Sequence, residues 1–162
     1  MMRISRRADY AVRIMIAIAA APEGTNVPAP QIGQQMLIPQ PFLVKVVGDL
    51  KRCGLISTAV GRTGGLALAR PAESVTLREI VECVEGPIIL NTCLIRPGEC
   101  PRDAICSAHP VWRRIQDALH REMDAVRLSD LAAEGRTRGY VMIDLPPMNE
   151  TEPPKPAGKP GV

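Results

Sequence analysis

The sequence predicts a mainly α-helical chain with a small β-hairpin wing: a winged helix-turn-helix followed by a long helix suited to dimerisation. Three observations carry that expectation. Apolar residues recur at helical spacing on both sides of a short helix and tight turn between residues 9 and 54. A Gly-rich segment with a basic tip separates two strand-like stretches within 55–70. An amphipathic pattern then runs from Ser107 to about Arg127.

Each element has its own signal. Val12, Ile14, Met15, Ile16 and Ile18 put an apolar residue on nearly every turn from Asp9 to about Ala20, so the first helix should be largely buried. Pro22–Pro28 reads as a loop, and Pro30–Met36 as a short helix with Ile32 and Met36 inward. Leu37-Ile38-Pro39 makes a tight turn, and the next helix starts near Pro41, since proline suits the first helical turn. Its inner face is Leu43, Val46, Val47 and Leu50, and Gly54 stands where a C-terminal cap belongs. Leu55–Val60 and Leu66–Arg70 read as strands joined by Gly61-Arg62-Thr63-Gly64-Gly65, with Arg62 at the hairpin tip.

Thr76-Leu77-Arg78-Glu79 has the pattern of a capping box opening a helix that runs to about Val84 and stops at Gly86-Pro87. Residues 87–106 show no periodicity. Trp112, Ile115, Leu119, Met123 and Val126 then form the stripe of the long helix, whose economical cover is a second copy of the chain. Ser129 is placed to cap a last short helix through Ala133. Residues 146–162 hold six prolines among small and charged neighbours and should be disordered. The organisation is therefore a winged head at 1–86, a cysteine loop at 87–106, a dimerisation helix and short helix at 107–143, and a tail at 144–162.

Charge and composition narrow the function. The net +3 conceals +6 in residues 1–70 against −3 in the remainder, and a basic front half suits phosphates. Aromatics are confined to Phe42, Trp112, Tyr10 and Tyr140, too few for stacking platforms that bind single strands. No stretch of about 18 apolar residues suggests a membrane span, and Pro22-Glu23-Gly24 reads better as a helix stop than as a signal-peptide cleavage site, so a cytoplasmic protein is expected. No phosphate-binding loop or Ser/His/Asp set points to an enzyme.

Five cysteines in a reducing compartment argue against a disulfide framework. Cys53 and Cys83 lie within or beside helices without companions and read as small buried hydrophobes. Cys93, Cys100 and Cys106 fall within 14 residues of irregular loop. Thiolates suit zinc or iron–sulfur clusters, but structural zinc knuckles space ligands two to four residues apart. These wider gaps suit a polynuclear cluster. Three cysteines leave one coordination position open: His109 is the local candidate, and Asp9 a distant one, on the first helix of a partner subunit.

Several segments together resemble the Rrf-two family of winged-helix regulators, over roughly residues 2–134: Met2-Arg3-Ile4-Ser5, Ala8 to Arg13, Leu50 to Ile56, the wing Gly61 to Leu68, Ala69-Arg70-Pro71-Ala72 and the three-cysteine loop. The resemblance implies a homodimer with crossing long helices, and a cluster (4Fe–4S favoured, 2Fe–2S the alternative) that alters operator affinity. It matches Cys93, Cys100 and Cys106 to the cluster cysteines, Asp9 to the carboxylate ligand of NsrR-type members and His109 to the imidazole of IscR-type members. The start of the chain, the Pro22-Glu23-Gly24 turn and Thr58-Ala59-Val60 are most similar to NsrR-type nitric-oxide sensors. Val44 and Val60 stand where IscR-type members carry a glutamate and an arginine, so their operator preference is not expected here.

On this reading a palindromic double-stranded operator is the partner. Gln40, Phe42 and Lys45 enter the major groove, Arg62 the minor groove, and Arg3, Arg6, Arg7, Lys51 and Arg52 meet phosphates. The competing expectations are a cluster-free repressor sensing a metabolite or thiol, and an iron–sulfur carrier, to which a winged head brings nothing.

Overall fold

A computed structural model describes residues 4–59, 64–96 and 98–140. The expectations for Arg3, Val60, the wing tip with Arg62, and the Pro-rich tail therefore lie outside the described residues. The elements run α1 (Arg6–Ala20), α2 (Ala29–Gln35), α3 (Gln40–Arg52), β1 (Ile56–Ala59), β2 (Gly65–Leu68), α4 (Leu77–Glu85), α5 (His109–Ala125) and α6 (Leu128–Thr137).

α1 is the centre of the head. Ser5 caps it by accepting from the Ala8 amide, and Ala8, Ala11, Ile14 and Met15 are wholly buried beneath α3, α4 and α6. Small residues on this face let the neighbouring helices come close, as ridge-and-groove packing requires. α2 lies against α3 closely enough that a Cβ on Gly33 would stand 2.9 Å from Leu43 Cδ2.

α2 and α3 end in the same way. After α3, the Leu55 amide donates to the Leu50 carbonyl and Gly54 takes φ +69°, the Schellman termination that glycine favours. After α2, the Ile38 amide donates to the Gly33 carbonyl, and the left-handed position is Leu37, at φ +54°. Glycine adopts that conformation freely; a leucine there costs about 1 kcal/mol.

β1 and β2 pair antiparallel, Ile56 opposite Leu68, and Val27 bridges to Leu66 to add a third short segment. Gly65 is required by that third segment, since a Cβ would meet the Val27 carbonyl oxygen at 2.7 Å. The Thr76 capping box forms as expected. The last helix begins at Leu128 with Arg127 as its unaided cap, so Ser129 does not cap it. Backbone bonds from Leu77 to Val126 and from Leu128 to Val75 make that junction rigid instead.

The long-helix stripe divides. Met123 packs on the core, whereas Val111, Trp112 and Ile115 are exposed. No helix among the described residues is long and apolar enough to cross a membrane.

Two predictions come from the α4 cap. Thr76→Ala removes the hydroxyl that accepts from the Glu79 amide and should lower stability by about 1 kcal/mol, a Tm drop of roughly 3–5 °C. Burial pushes the Glu79 carboxyl up, but the Arg70 guanidinium and the Thr76 amide outweigh it and hold the group below its ordinary value. That stabilisation is present above the unfolded pKa and is lost as pH falls through the lower folded one. Urea titrations of Glu79→Gln should show a flatter loss of stability than the parent between about pH 5 and pH 3.

Candidate functional site

Two surfaces bring functional side chains together. The first is the outer face of α3. Leu43, Val46 and Leu50 turn inward, which leaves Gln40, Pro41, Phe42, Val44, Lys45, Lys51 and Arg52 outside. Phe42 leans on Tyr10 of α1, with ring centroids 5.6 Å apart in an edge-on arrangement.

The only acid of α3, Asp49, is 3% exposed and lies between the guanidinium groups of Arg7 and Arg52. Arg7 Nε donates to Asp49 Oδ2 at 2.9 Å, fastening α3 to α1. Two arginines expected on phosphates are thus already anchored, although Arg52 remains 75% exposed with donors to spare. Lys51 Nζ donates to Thr58 Oγ1 at 3.0 Å, tying α3 to β1. Arg6, Gln40 and Lys45 are exposed, as groove and phosphate contacts require.

The second surface is the cysteine loop. Cys93 sits in a short 3-10 turn, Thr92–Leu94, and the rest of the loop makes successive turns. Between Ile95 and Pro110 every described residue is exposed except Cys100, Asp103, Cys106 and His109. The partly sheltered positions of this stretch are thus four metal-ligating residues at three-residue spacing. Asp103 is the member that sequence reasoning missed. Its signal, a carboxylate midway between two cysteines and in step with a histidine, was present but subtle.

The Cys93 thiol, one Asp103 oxygen and one His109 ring nitrogen lie within 4.8 Å of one another. His109 Nδ1 is 3.2 Å from Asp103 Oδ1, yet it is buried with no well-aligned hydrogen bond among the described residues. Cys100 and Cys106 stand outside that tight group. Thiolates around a polynuclear cluster bind different irons, so they need not converge on one point. Three free, half-buried thiols and an unpartnered imidazole nitrogen fit an iron–sulfur cluster by donor type.

Asp9 is not brought to this loop within the chain. It lies 46% exposed on α1, 2.7 Å from Arg13, whose guanidinium pKa burial lowers but the Asp9 carboxylate raises on balance.

Both ends of the loop are fixed to α5. Buried Gln116 accepts from the Leu90 amide at 2.8 Å and donates to the Ile88 carbonyl, while His109 opens the helix. Arg78 Nε donates to Asp124 at 2.7 Å and joins α4 to α5.

Cys53 and Cys83 correct the sequence reading. They form a disulfide across 30 residues, with Cα atoms 6.0 Å apart, and Cys53 is exposed rather than buried. The bridge ties the C-terminal cap of α3 to α4. Helical periodicity cannot reveal such a pairing, because it reports which face a residue occupies and not what lies opposite.

Residues 4–134 match the Rrf2 family, iron-dependent transcriptional regulators. The chain is 32% identical to the helix-turn-helix-type regulator Rv1287 of Mycobacterium tuberculosis, covering 81% of each chain. It is 28% identical to IscR, a helix-turn-helix-type regulator of Escherichia coli, covering 80% of each. Among solved structures it is similar to CymR, the global cysteine regulator of B. subtilis, with a TM-score of 0.68 and 28% identity over 83% of this chain and 98% of that one. These relatives are regulators rather than enzymes, and CymR shares the fold of this chain. The chain belongs to the Rrf2 family of DNA-binding transcriptional regulators.

Proposed function

We propose that the chain is a homodimeric cytoplasmic repressor whose grip on a palindromic operator depends on an iron–sulfur cluster, 4Fe–4S before 2Fe–2S, held by Cys93, Cys100 and Cys106. One observation carries this reading: among the described residues from Ile95 to Pro110, the only ones not exposed, Cys100, Asp103, Cys106 and His109, are all of metal-ligating type. When bound, the cluster supplies a centre reactive toward nitric oxide, oxygen or iron scarcity.

The chain's own residues convert its presence into geometry. From Ile95 to Pro110 the partly sheltered side chains among the described residues are ligands rather than hydrophobes, so the shape of that stretch follows whatever the three thiolates hold. Its ends transmit that shape to α5 through Gln116 and His109. In the dimer, Val111, Trp112 and Ile115 pack against a second copy, so a shift of α5 changes the spacing of the two α3 helices. On α3, Gln40 and Lys45 meet base edges and Phe42 a thymine methyl. Arg3, Arg6, Arg7, Lys51 and Arg52 lie along the phosphates, with Arg62 in the minor groove.

The fourth ligand is His109 from within the chain or Asp9 from the partner, with Asp103 as a third candidate beside His109. Anaerobic reconstitution with iron and sulfide, read by native mass and absorbance near 400 nm, tests this. The parent should gain the cluster and change operator affinity at least tenfold. Cys93→Ala, Cys100→Ala and Cys106→Ala should each abolish the gain, and among Asp9→Ala, Asp103→Ala and His109→Ala the true ligand should show the greatest loss. A colourless parent sinks the cluster reading.

A second reading has its own support. The Cys53–Cys83 bridge and the likeness to the cysteine regulator CymR favour a cluster-free thiol switch, in which exchange with a small disulfide closes the α3–α4 bridge and releases two small thiols. A Cys53→Ser/Cys83→Ser protein that no longer responds to oxidised thiols, beside a Cys93/Cys100/Cys106 triple alanine that still does, selects this reading.

A further inference from the structure

Three residues of α3 and the turn before it run against what folding favours: two are exposed, and the third, half-buried Gly48, has open space where a Cβ would stand. Leu37 occupies the left-handed position that ends α2, where glycine belongs, and its side chain is 81% exposed. Val44 is 63% exposed on the outer face of α3, where a polar residue would serve the helix as well. Gly48 follows Val44 by one turn; a Cβ there would meet nothing within 4 Å, so no neighbour in the fold requires a glycine. Mid-helix, glycine is a poorer choice than alanine.

An apolar side chain in the wrong conformation, a bare valine and an unforced glycine gain nothing inside the monomer. They gain something if an external surface presses on them. Gln40, Val44 and Gly48 share one row at four-residue spacing, so the polar group, the apolar group and the gap face the same way. The flanks carry Lys45, Lys51 and Arg52, and the helix's only acid, Asp49, is buried and ion-paired. That combination fits a duplex that is anionic at its rim and presents methyl groups within the major groove. Thymine is the base that offers one.

We infer that Leu37 and Val44 form an apolar reading strip that selects thymine by its 5-methyl group, and that Gly48 is the clearance that lets the duplex seat against it. The inference rests on α3 being the groove-reading helix, as proposed above.

The test uses duplexes enriched from a random-sequence library on the full chain, prepared with and without iron and sulfide. Replacing each thymine singly by uracil deletes one methyl and keeps the pairing. One or two positions per half-site should lose roughly three- to fivefold in affinity, the worth of one buried methyl, and Val44→Ala should erase that loss at one of them while Phe42→Ala leaves it there. Leu37→Gly and Gly48→Ala should both raise Tm, because each restores the residue the fold prefers. Each should nevertheless weaken binding, Gly48→Ala by roughly tenfold or more from steric obstruction. Uniform indifference to uracil overturns the inference, as does either variant binding as tightly as the parent. Gln40→Ala separates the failures: if it weakens binding while uracil has no effect, α3 reads the groove without the methyl strip. If neither matters, the assignment of α3 falls as well.

Discussion

The buried carboxylate of Asp49 sets the posture of everything the reading head does. A carboxylate at 3% exposure is tolerable only when paired, and its partners come from two places: Arg7 on α1 and Arg52 on α3 itself. Removing both would leave the charge uncompensated in a poorly hydrated site, the situation that makes broken buried pairs far costlier than exposed ones, and removing Arg7 alone would unfasten α3 from α1. The pair therefore fixes how α3 leans on α1, the most buried helix of the chain. It also withdraws the one negative charge of α3 from that helix's outer face. A single interaction thus serves packing and electrostatics together.

The cysteine loop shows the opposite economy. Between Ile95 and Pro110 its partly sheltered described residues are ligands rather than hydrophobes, so that stretch contributes little to the core, whereas Ile88 at the start of the loop packs against it. The ends of the loop are well held, by Gln116 on the Ile88–Leu90 segment and by the first turn of α5. A segment pinned at both ends, and held between them by local turns rather than by the core, is suited to holding a group whose arrival and loss must be felt elsewhere.

What the sequence made legible follows from which forces are local. Helical periodicity places α1, α3 and the inner face Leu43, Val46 and Leu50, while capping chemistry places Thr76, Glu79 and Gly54, because each signal is complete within a few residues. The rest depends on what lies opposite. Asp49 sits among apolar positions and gives no sign of burial until Arg7 is seen beside it. Cys53 and Cys83 are 30 residues apart and paired only by the approach of α3 to α4. The α5 stripe divides because α4 covers one end of it, and the sequence records only the stripe. Leu37 reads as part of an ordinary turn; its left-handed backbone emerges from the Schellman hydrogen bonds that close α2.

α4 is where the two candidate inputs converge. Its Glu82 side chain accepts from the Ile88 amide at 3.1 Å, at the threshold of the cysteine loop, and Arg78 grips Asp124 of α5. On its other side Cys83 is bonded to the cap of α3. A contiguous path is not coupling by itself, since coupling needs an element with two arrangements that both ends can bias. The loop is the part of the path loose enough to have two, and the bridge is the part stiff enough to deliver the difference. With the bridge closed, α3 moves with α4 as one body. With it open, apolar packing and weak thiol–carbonyl contacts hold the pair in register without a covalent tie, so a displacement of equal size at the loop reaches α3 diminished. The redox state of Cys53 and Cys83 would then set how strongly the loop is heard at the operator, without either cysteine touching DNA or metal.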